Sequence, residues 1–167
     1  MDAVTAMTTR RSVRKYTGDP VRQEDLEKIL DCGRLAPTGV NKQGWKFIVC
    51  TEQEMKEKVA GATDFGKFMK DAAVIVAVAI RADTFCPNED SAAATCNMLN
   101  AAHALGYGGC WVGANGNPTA KRVGKVLGLP IGWKIMSLFS IGVPAESPTV
   151  KKKALSEVVS YNGFRND

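Results

Sequence analysis

Between Thr9 and Tyr16 the chain reads Thr-Arg-Arg-Ser-Val-Arg-Lys-Tyr, and no acidic residue occurs from Ala3 to Gly18. Arg10, Arg11 and Arg14 offer planar, multidentate donors and Ser12 adds a hydroxyl, a set better suited to a phosphate than a point ammonium is. A solvated basic arm or a nucleic-acid contact would use the same composition. A second group is Pro37-Thr38-Gly39-Val40-Asn41-Lys42-Gln43-Gly44-Trp45. The amides of Asn41 and Gln43 carry paired donors and acceptors able to read the edge of a heteroaromatic ring, whereas a turn that Asn41 closes on its own backbone needs no ligand. A third is Gly106-Tyr107-Gly108-Gly109-Cys110-Trp111-Val112-Gly113. It follows a helical pattern and opens a strand, the reverse of a dinucleotide fingerprint, and its glycines suit a tight turn and close approach of backbone N–H groups to something planar. The fourth is Lys151-Lys152-Lys153, after Pro144 and Pro148, which alone reads as a solvated tail.

Little else in the chain points to acid, base or nucleophilic catalysis. The single histidine, His103, sits in an alanine-rich helical stretch without an evident partner, a core or surface position more than a catalytic one. The sequence contains no H-E-x-x-H, G-x-S-x-G or G-x-x-x-x-G-K-[ST], so zinc proteolysis, the common esterase arrangement and P-loop hydrolysis lose support. No catalytic side chain is assigned, and a cofactor is expected to carry the chemistry. The five cysteines are scattered without a C-x-x-C pair. They read as reduced, mostly buried small hydrophobes, with no metal site expected.

The elements that must position these groups follow from periodicity. Leu26, Ile29, Leu30 and Gly33 recur at helical spacing after an acidic start at Gln23-Glu24-Asp25, which predicts an amphipathic helix. Trp45–Cys50 alternates as a strand, and a short charged helix is expected from Glu52 to about Val59. Ala72–Ile80 is apolar without interruption, too short to cross a bilayer and suited to a central strand. An alanine-rich helix is expected from Asn88-Glu89-Asp90 to Leu105, capped at its start by Asp90-Ser91 or Asn88 and stopped by Gly106. A strand at 109–113, a helix at 118–127, a strand at 134–143 and a last helix between Leu155 and Tyr161 complete the pattern. The 167 residues then form a single domain, 1–167, of α/β or α+β type, with four or so strands and helices packed on them.

Taken in order, the four groups resemble the nitroreductase family of FMN-dependent oxidoreductases. Its R-x-S-x-[RK] start matches Arg10-Arg11-Ser12-Val13-Arg14, and its P-[ST]-x-x-N-x-Q-P-W loop matches Pro37 to Trp45, with Gly44 in place of the proline. Its L-G-[LY]-G-x-x-W-[IV]-G segment matches Leu105 to Gly113, and L-G-L-P and I-G-x-P recur at Leu127–Pro130 and Ile141–Pro144. The resemblance implies an α+β homodimer, its central sheet mixed but mostly antiparallel, of about four to five strands flanked by helices, with FMN at the subunit interface. It implies that Arg10, Arg11, Ser12 and Arg14 hold the phosphate, ribityl and pyrimidine side, with Lys151 and Lys153 completing the phosphate pocket. Pro37, Thr38, Gly39, Asn41 and Gln43 would reach the flavin from the other subunit, and Val112 and Gly113 would lie beside its ring. Many members add an Asn and a Lys just before the central strand, where Lys67 and Lys70 stand here out of obvious register.

The implied activity takes hydride from NADH or NADPH and delivers it to a nitroaromatic, quinone or similar flat small-molecule acceptor in a ping-pong cycle. The same scaffold also resembles flavoproteins of reductive dehalogenation or azoline oxidation. A basic nucleic-acid-binding domain is the reading from another class, with neither a known motif nor a stacking array to support it. The formal charge of +5 is uneven: Ala3–Gly18 and Ser147–Ser156 hold seven basic residues and no acid, which leaves the rest at −2. An acidic second residue and no apolar N-terminal segment argue against export and for a cytoplasmic protein with no membrane partner.

Overall fold

In a computed structural model the described residues are 1–164. Four strands form one sheet, β1 (Trp45–Cys50), β2 (Val74–Arg81), β3 (Gly108–Gly113) and β4 (Trp133–Gly142), in the spatial order β1-β2-β4-β3. Every strand pair is antiparallel, and the parallel component is one isolated bridge, Ser12 to Gly109. The apolar run is indeed a central strand. Its side chains from Val74 to Ile80 are buried on both faces, because helices cover both sides of the sheet.

Of the five helices among the described residues, α2 (Gln23–Arg34), α3 (Gln53–Gly61), α4 (Pro87–Ala104) and α5 (Pro118–Val126) do the covering, while α1 (Ala3–Thr9) packs on α4. On one face Leu26, Ile29, Met98 and Ala102 of α2 and α4 meet Val76, Val78, Phe139 and Ile141. On the other, Val59 and Ala60 of α3 and Val123 of α5 meet Ile75, Ala77, Val112 and Leu138. This alternation of β2 and β4 side chains between two cores is the period-2 geometry of a strand with no wet face.

One element is added and two expectations are revised. The N-terminal residues form α1, capped by the Asp2 side chain at Thr5 N, 3.1 Å. Where a last helix is expected, Leu155–Glu157 makes one 3₁₀ turn, since the segment buries none of its residues and packing supplies most of a helix's stability in water. At the start of α4 no side chain caps the helix. Cys86 is the N-cap residue, Pro87 occupies the first turn, and Asp90 is committed elsewhere. The C-terminal stop is as expected. Gly106 adopts φ +91°, Tyr107 N donates to Ala102 O (2.9 Å) and Gly106 N to His103 O (3.0 Å), the paired bonds of a Schellman cap.

Tyr107 then reaches α2. Its hydroxyl donates to Asp25 Oδ2 at 2.9 Å, and Arg22 donates to the same oxygen from Nε (2.8 Å) and lies 2.7 Å away through Nη2. Asp25 is 1% exposed. The α4–β3 turn is thereby pinned to the start of α2.

Candidate active site

The basic segment is laid along the sheet by backbone bonds. Ser12 bridges Gly109, Val13 N donates to Gly109 O (3.0 Å), Thr17 N to Val143 O (3.0 Å) and Ala145 N to Lys15 O (2.9 Å). Glycine is needed where the segment meets β3. A Cβ on Gly108 would fall 2.8 Å from Val13 Cβ, and one on Gly109 would fall 2.8 Å from both Leu99 Cδ2 and Ser140 O. These two glycines therefore admit protein, not a planar ligand. Within the segment Val13 points into the core and Arg14 into solvent.

Donors are left over for an anion. Among the described residues the guanidinium groups of Arg10 and Arg14 have no carboxylate partner. Arg11 Nη1 donates to Thr8 O (3.0 Å) and Arg10 O (2.9 Å), which fixes its direction without neutralising it. Glu146 lies close by, but its Oε1 accepts from the backbone N–H groups of Arg14 (2.6 Å) and Lys15 (3.2 Å). The local field is positive: His103, bonded to Thr9 Oγ1 at 2.9 Å, is held below the ordinary imidazole range by burial and then by Arg10 and Arg11. Burial likewise pushes the Cys110 thiol up, with Arg14 and Ser12 opposing it. Phe68 lies under Arg14, its ring centroid 6.0 Å from Cζ, which brings the 3₁₀ segment Lys67–Asp71 beside the arginines.

Four residues beyond the Ser12 bridge, about 13 Å at the usual rise of a strand, β3 ends at Gly113. There Val112 turns its side chain into the core, and a Cβ on exposed Gly113 would meet nothing within 4 Å. A ligand can approach the backbone here.

The Pro37–Gln43 loop stands at the other end of the sheet from the arginines. It leads into Trp45, which pairs with Ile80, and Ile80 pairs with Lys134 at the start of β4, whereas the basic segment bridges the start of β3 and Pro144. The loop is tightly wound: Val40, Asn41 and Gln43 all have positive φ, at 47°, 54° and 50°. Gln43 N donates to Thr38 Oγ1 (3.0 Å) and Gln43 Nε2 to Asn41 Oδ1 (3.1 Å), so the two amides bond each other. Gly44 has a steric reason to depart from proline, because a Cβ there would overlap Thr84 Oγ1.

One chain thus gathers Arg10, Arg11, Ser12 and Arg14 near Gly109, places Val112 and Gly113 farther along β3, and sets Pro37, Thr38, Gly39, Asn41 and Gln43 at the other end of the sheet from the arginines, the end at which Gly113 lies. Lys151 and Lys153 lie on an exposed tail, and among the described residues no hydrogen bond or ion pair joins them to the arginines. Phe68, Glu146 and Tyr16 surround the basic segment without having been expected there. Of these only Tyr16 lies inside the basic octamer, and nothing local to Phe68 or Glu146 signals a role. The donor set, with two free guanidiniums, a hydroxyl and an open backbone stretch on the same strand, fits a group that joins a phosphate to a planar ring.

Comparisons agree with that chemistry. The model of the Nitroreductase family matches residues 7–64 and 65–143. A protein of Methanothermobacter thermautotrophicus provisionally named NADH dehydrogenase/NAD(P)H nitroreductase is 36% identical over 155 residues, covering 89% of this chain and 80% of that protein. The solved structure of an FMN-dependent nitroreductase from Clostridium difficile superposes with a TM-score of 0.91 at 26% identity, covering 96% of this chain and 99% of that one. The iodotyrosine deiodinase of Daphnia pulex is 23% identical over 192 residues, covering 93% of this chain and 64% of the deiodinase. With its four-stranded sheet, its anchored basic segment and this match, the chain belongs to the nitroreductase family.

Proposed function

We propose that this chain is an FMN-dependent oxidoreductase of the nitroreductase type, working as a homodimer, that takes hydride from NADH or NADPH and passes it to a nitroaromatic, quinone or similar flat acceptor by a ping-pong cycle. The observation that carries the reading is the pair of guanidiniums, Arg10 and Arg14, without a carboxylate partner among the described residues, on a backbone fixed to β3, with the open backbone of Gly113 on that strand. FMN, when bound, supplies the hydride-accepting and hydride-donating centre.

The chain's own residues have simpler tasks. Arg10, Arg11, Ser12 and Arg14 bind and orient the phosphate and ribityl side through charge-assisted hydrogen bonds, with Lys151 and Lys153 adding cations from the tail. A positive group near the pyrimidine side stabilises negative charge that grows there on reduction. At the far end of β3, beside Val112, Gly113 offers a backbone N–H donor to the ring edge. The Pro37–Gln43 loop is too distant to serve the arginines of its own chain, which supports its reaching the site of a partner. Large exposed apolar side chains along the tail, including Leu155, Tyr161 and Phe164, also support a second copy covering them.

The test is the absorption spectrum of the purified protein and the identity of the flavin it releases. A colourless protein that gains no flavin spectrum with added FMN overturns the reading. Sedimentation of the loaded protein at the mass of one chain would remove the dimer. A second reading, reductive dehalogenation on the same scaffold, is favoured by the deiodinase relative. Protein that holds FMN but fails to oxidise NADH or NADPH in the presence of a nitro compound would support it.

A further inference from the structure

We infer that Asp90 is a positioning residue: its carboxylate, from the first turn of α4, holds the Thr38–Gln43 loop in its wound form and thereby sets how long the cofactor stays bound, without touching the cofactor. This rests on the reading above, in which that loop completes the FMN site of the partner chain.

The loop needs an outside hold. Val40, Asn41 and Gln43 occupy the left-handed region, which is costly for residues with a Cβ and most costly for β-branched valine. Bonds inside the loop are few and local: Asn41 N to Thr38 O (3.1 Å), Lys42 N to Gly39 O (3.0 Å), Gln43 N to Thr38 Oγ1 (3.0 Å) and Gln43 Nε2 to Asn41 Oδ1 (3.1 Å). Its tether to the body of the protein is Gly39 N donating to Asp90 Oδ1 at 2.9 Å, 51 residues away in sequence. Gly39 comes near enough because it lacks a side chain: a Cβ there would stand 3.2 Å from Cys86 Sγ.

Asp90 is an expensive choice for a purely structural tether. It is 2% exposed, and its Oδ2 is buried without a hydrogen-bond partner among the described residues. Burying half a carboxylate unbonded is unfavourable, offset in part by the positive end of α4. A strained loop held by a buried charge is the pattern expected where one fixed loop shape matters to binding. The same turn of α4 also fixes the other ligand-facing backbone, since Asn115 Nδ2 donates to Asn88 Oδ1 at 2.7 Å, two residues beyond Gly113.

Three full-length variants test this: Asp90→Ala, Asp90→Asn and Asn41→Ala. Lys42, exposed within the loop, makes tryptic cleavage at that bond a measure of loop opening that needs no flavin. The second readout is the rate at which FMN fluorescence returns when loaded protein is diluted. Asp90→Ala is expected to be cleaved at Lys42 and to release FMN roughly tenfold faster or more, the loss of a charge-assisted hydrogen bond. Asp90→Asn keeps the acceptor and is expected to stay within about threefold of the parent in both, a rescue that general destabilisation would not give. Unchanged Lys42 cleavage in Asp90→Ala overturns the proposal, as does fast FMN release by Asp90→Asn, which decides the matter if Asp90→Ala does not fold. If Asn41→Ala releases FMN faster while Asp90→Ala does not, the loop's place in the site stands and the proposal falls. If cleavage rises in Asp90→Ala but FMN release is unchanged in every variant, the reading of the loop as a cofactor contact fails instead.

Discussion

The hydroxyl of Tyr16 lies 2.6 Å from Ser140 Oγ and donates to Val13 O at 2.7 Å, so one phenol ties the basic segment to itself and to a fully buried serine of β4. Burial pushes this phenol well above the ordinary tyrosine range, with the Ser140 bond opposing. Tyr16→Phe is expected to leave Ser140 and Val13 O short of a partner and to cost about 1–3 kcal/mol in urea unfolding. Adding Ser140→Ala removes one orphan, so the double variant is expected to lose less than the two single changes together.

Among the described residues Arg10 and Arg14 have no carboxylate partner, so their removal is expected to spare the fold and damage binding. Arg10→Ala and Arg14→Ala are each expected to weaken FMN binding roughly 10- to 100-fold, the range of a charge-assisted hydrogen bond to phosphate. Urea midpoints of the flavin-free variants are expected to stay near that of the parent. Fluorescence titration at two salt concentrations checks this, with a shallower salt dependence in each variant.

Restoring the family's proline at Gly44 is expected to harm this chain. The new Cβ would overlap Thr84 Oγ1, and overpacking of this kind costs about 1–3 kcal/mol. Thr84 Oγ1 is itself buried without a partner among the described residues, so combining Gly44→Pro with Thr84→Ala is expected to recover much of the loss. Thermal unfolding of Gly44→Pro, Thr84→Ala and the double variant decides it.

Asp25 gives the fold an acid limit. Burial acts to raise its carboxyl, but the hydrogen bonds of Tyr107 and Arg22 and the charges of Arg22 and Lys28 outweigh it and hold the group below its ordinary 3.8. A carboxyl lowered by folding adds stability above its unfolded value, and that share is lost as pH falls below 3.8 and through the folded value. Urea midpoints from pH 5 to about pH 2 are therefore expected to fall more steeply for the parent than for Asp25→Asn.

Local pattern set the elements of this protein. The unbroken Ala72–Ile80 run, the helical spacing of Leu26, Ile29 and Leu30, and the stop at Gly106 each produce their structure through interactions within a few residues or through burial on both faces. The R-x-S-x-[RK] segment and the Gly106–Gly113 stretch stand out as short runs of distinctive residue types, yet Gly108 and Gly109, expected beside something planar, pack against Val13, Leu99 and Ser140. Helix α1 is not legible from local pattern, because its seven residues bury only Ala6 and carry no strong period.

Tertiary structure decided the rest. The strand order β1-β2-β4-β3 and the one parallel bridge depend on which edges meet in space, which no local spacing encodes. So does the use of two acids that the sequence offers only as helix-start residues: Asp25 closes on Tyr107 across 82 residues, and Asp90 closes on Gly39 across 51. A carboxylate's neighbours along the chain fix its helix; only its neighbours in space fix its charge, its bonds and therefore its task.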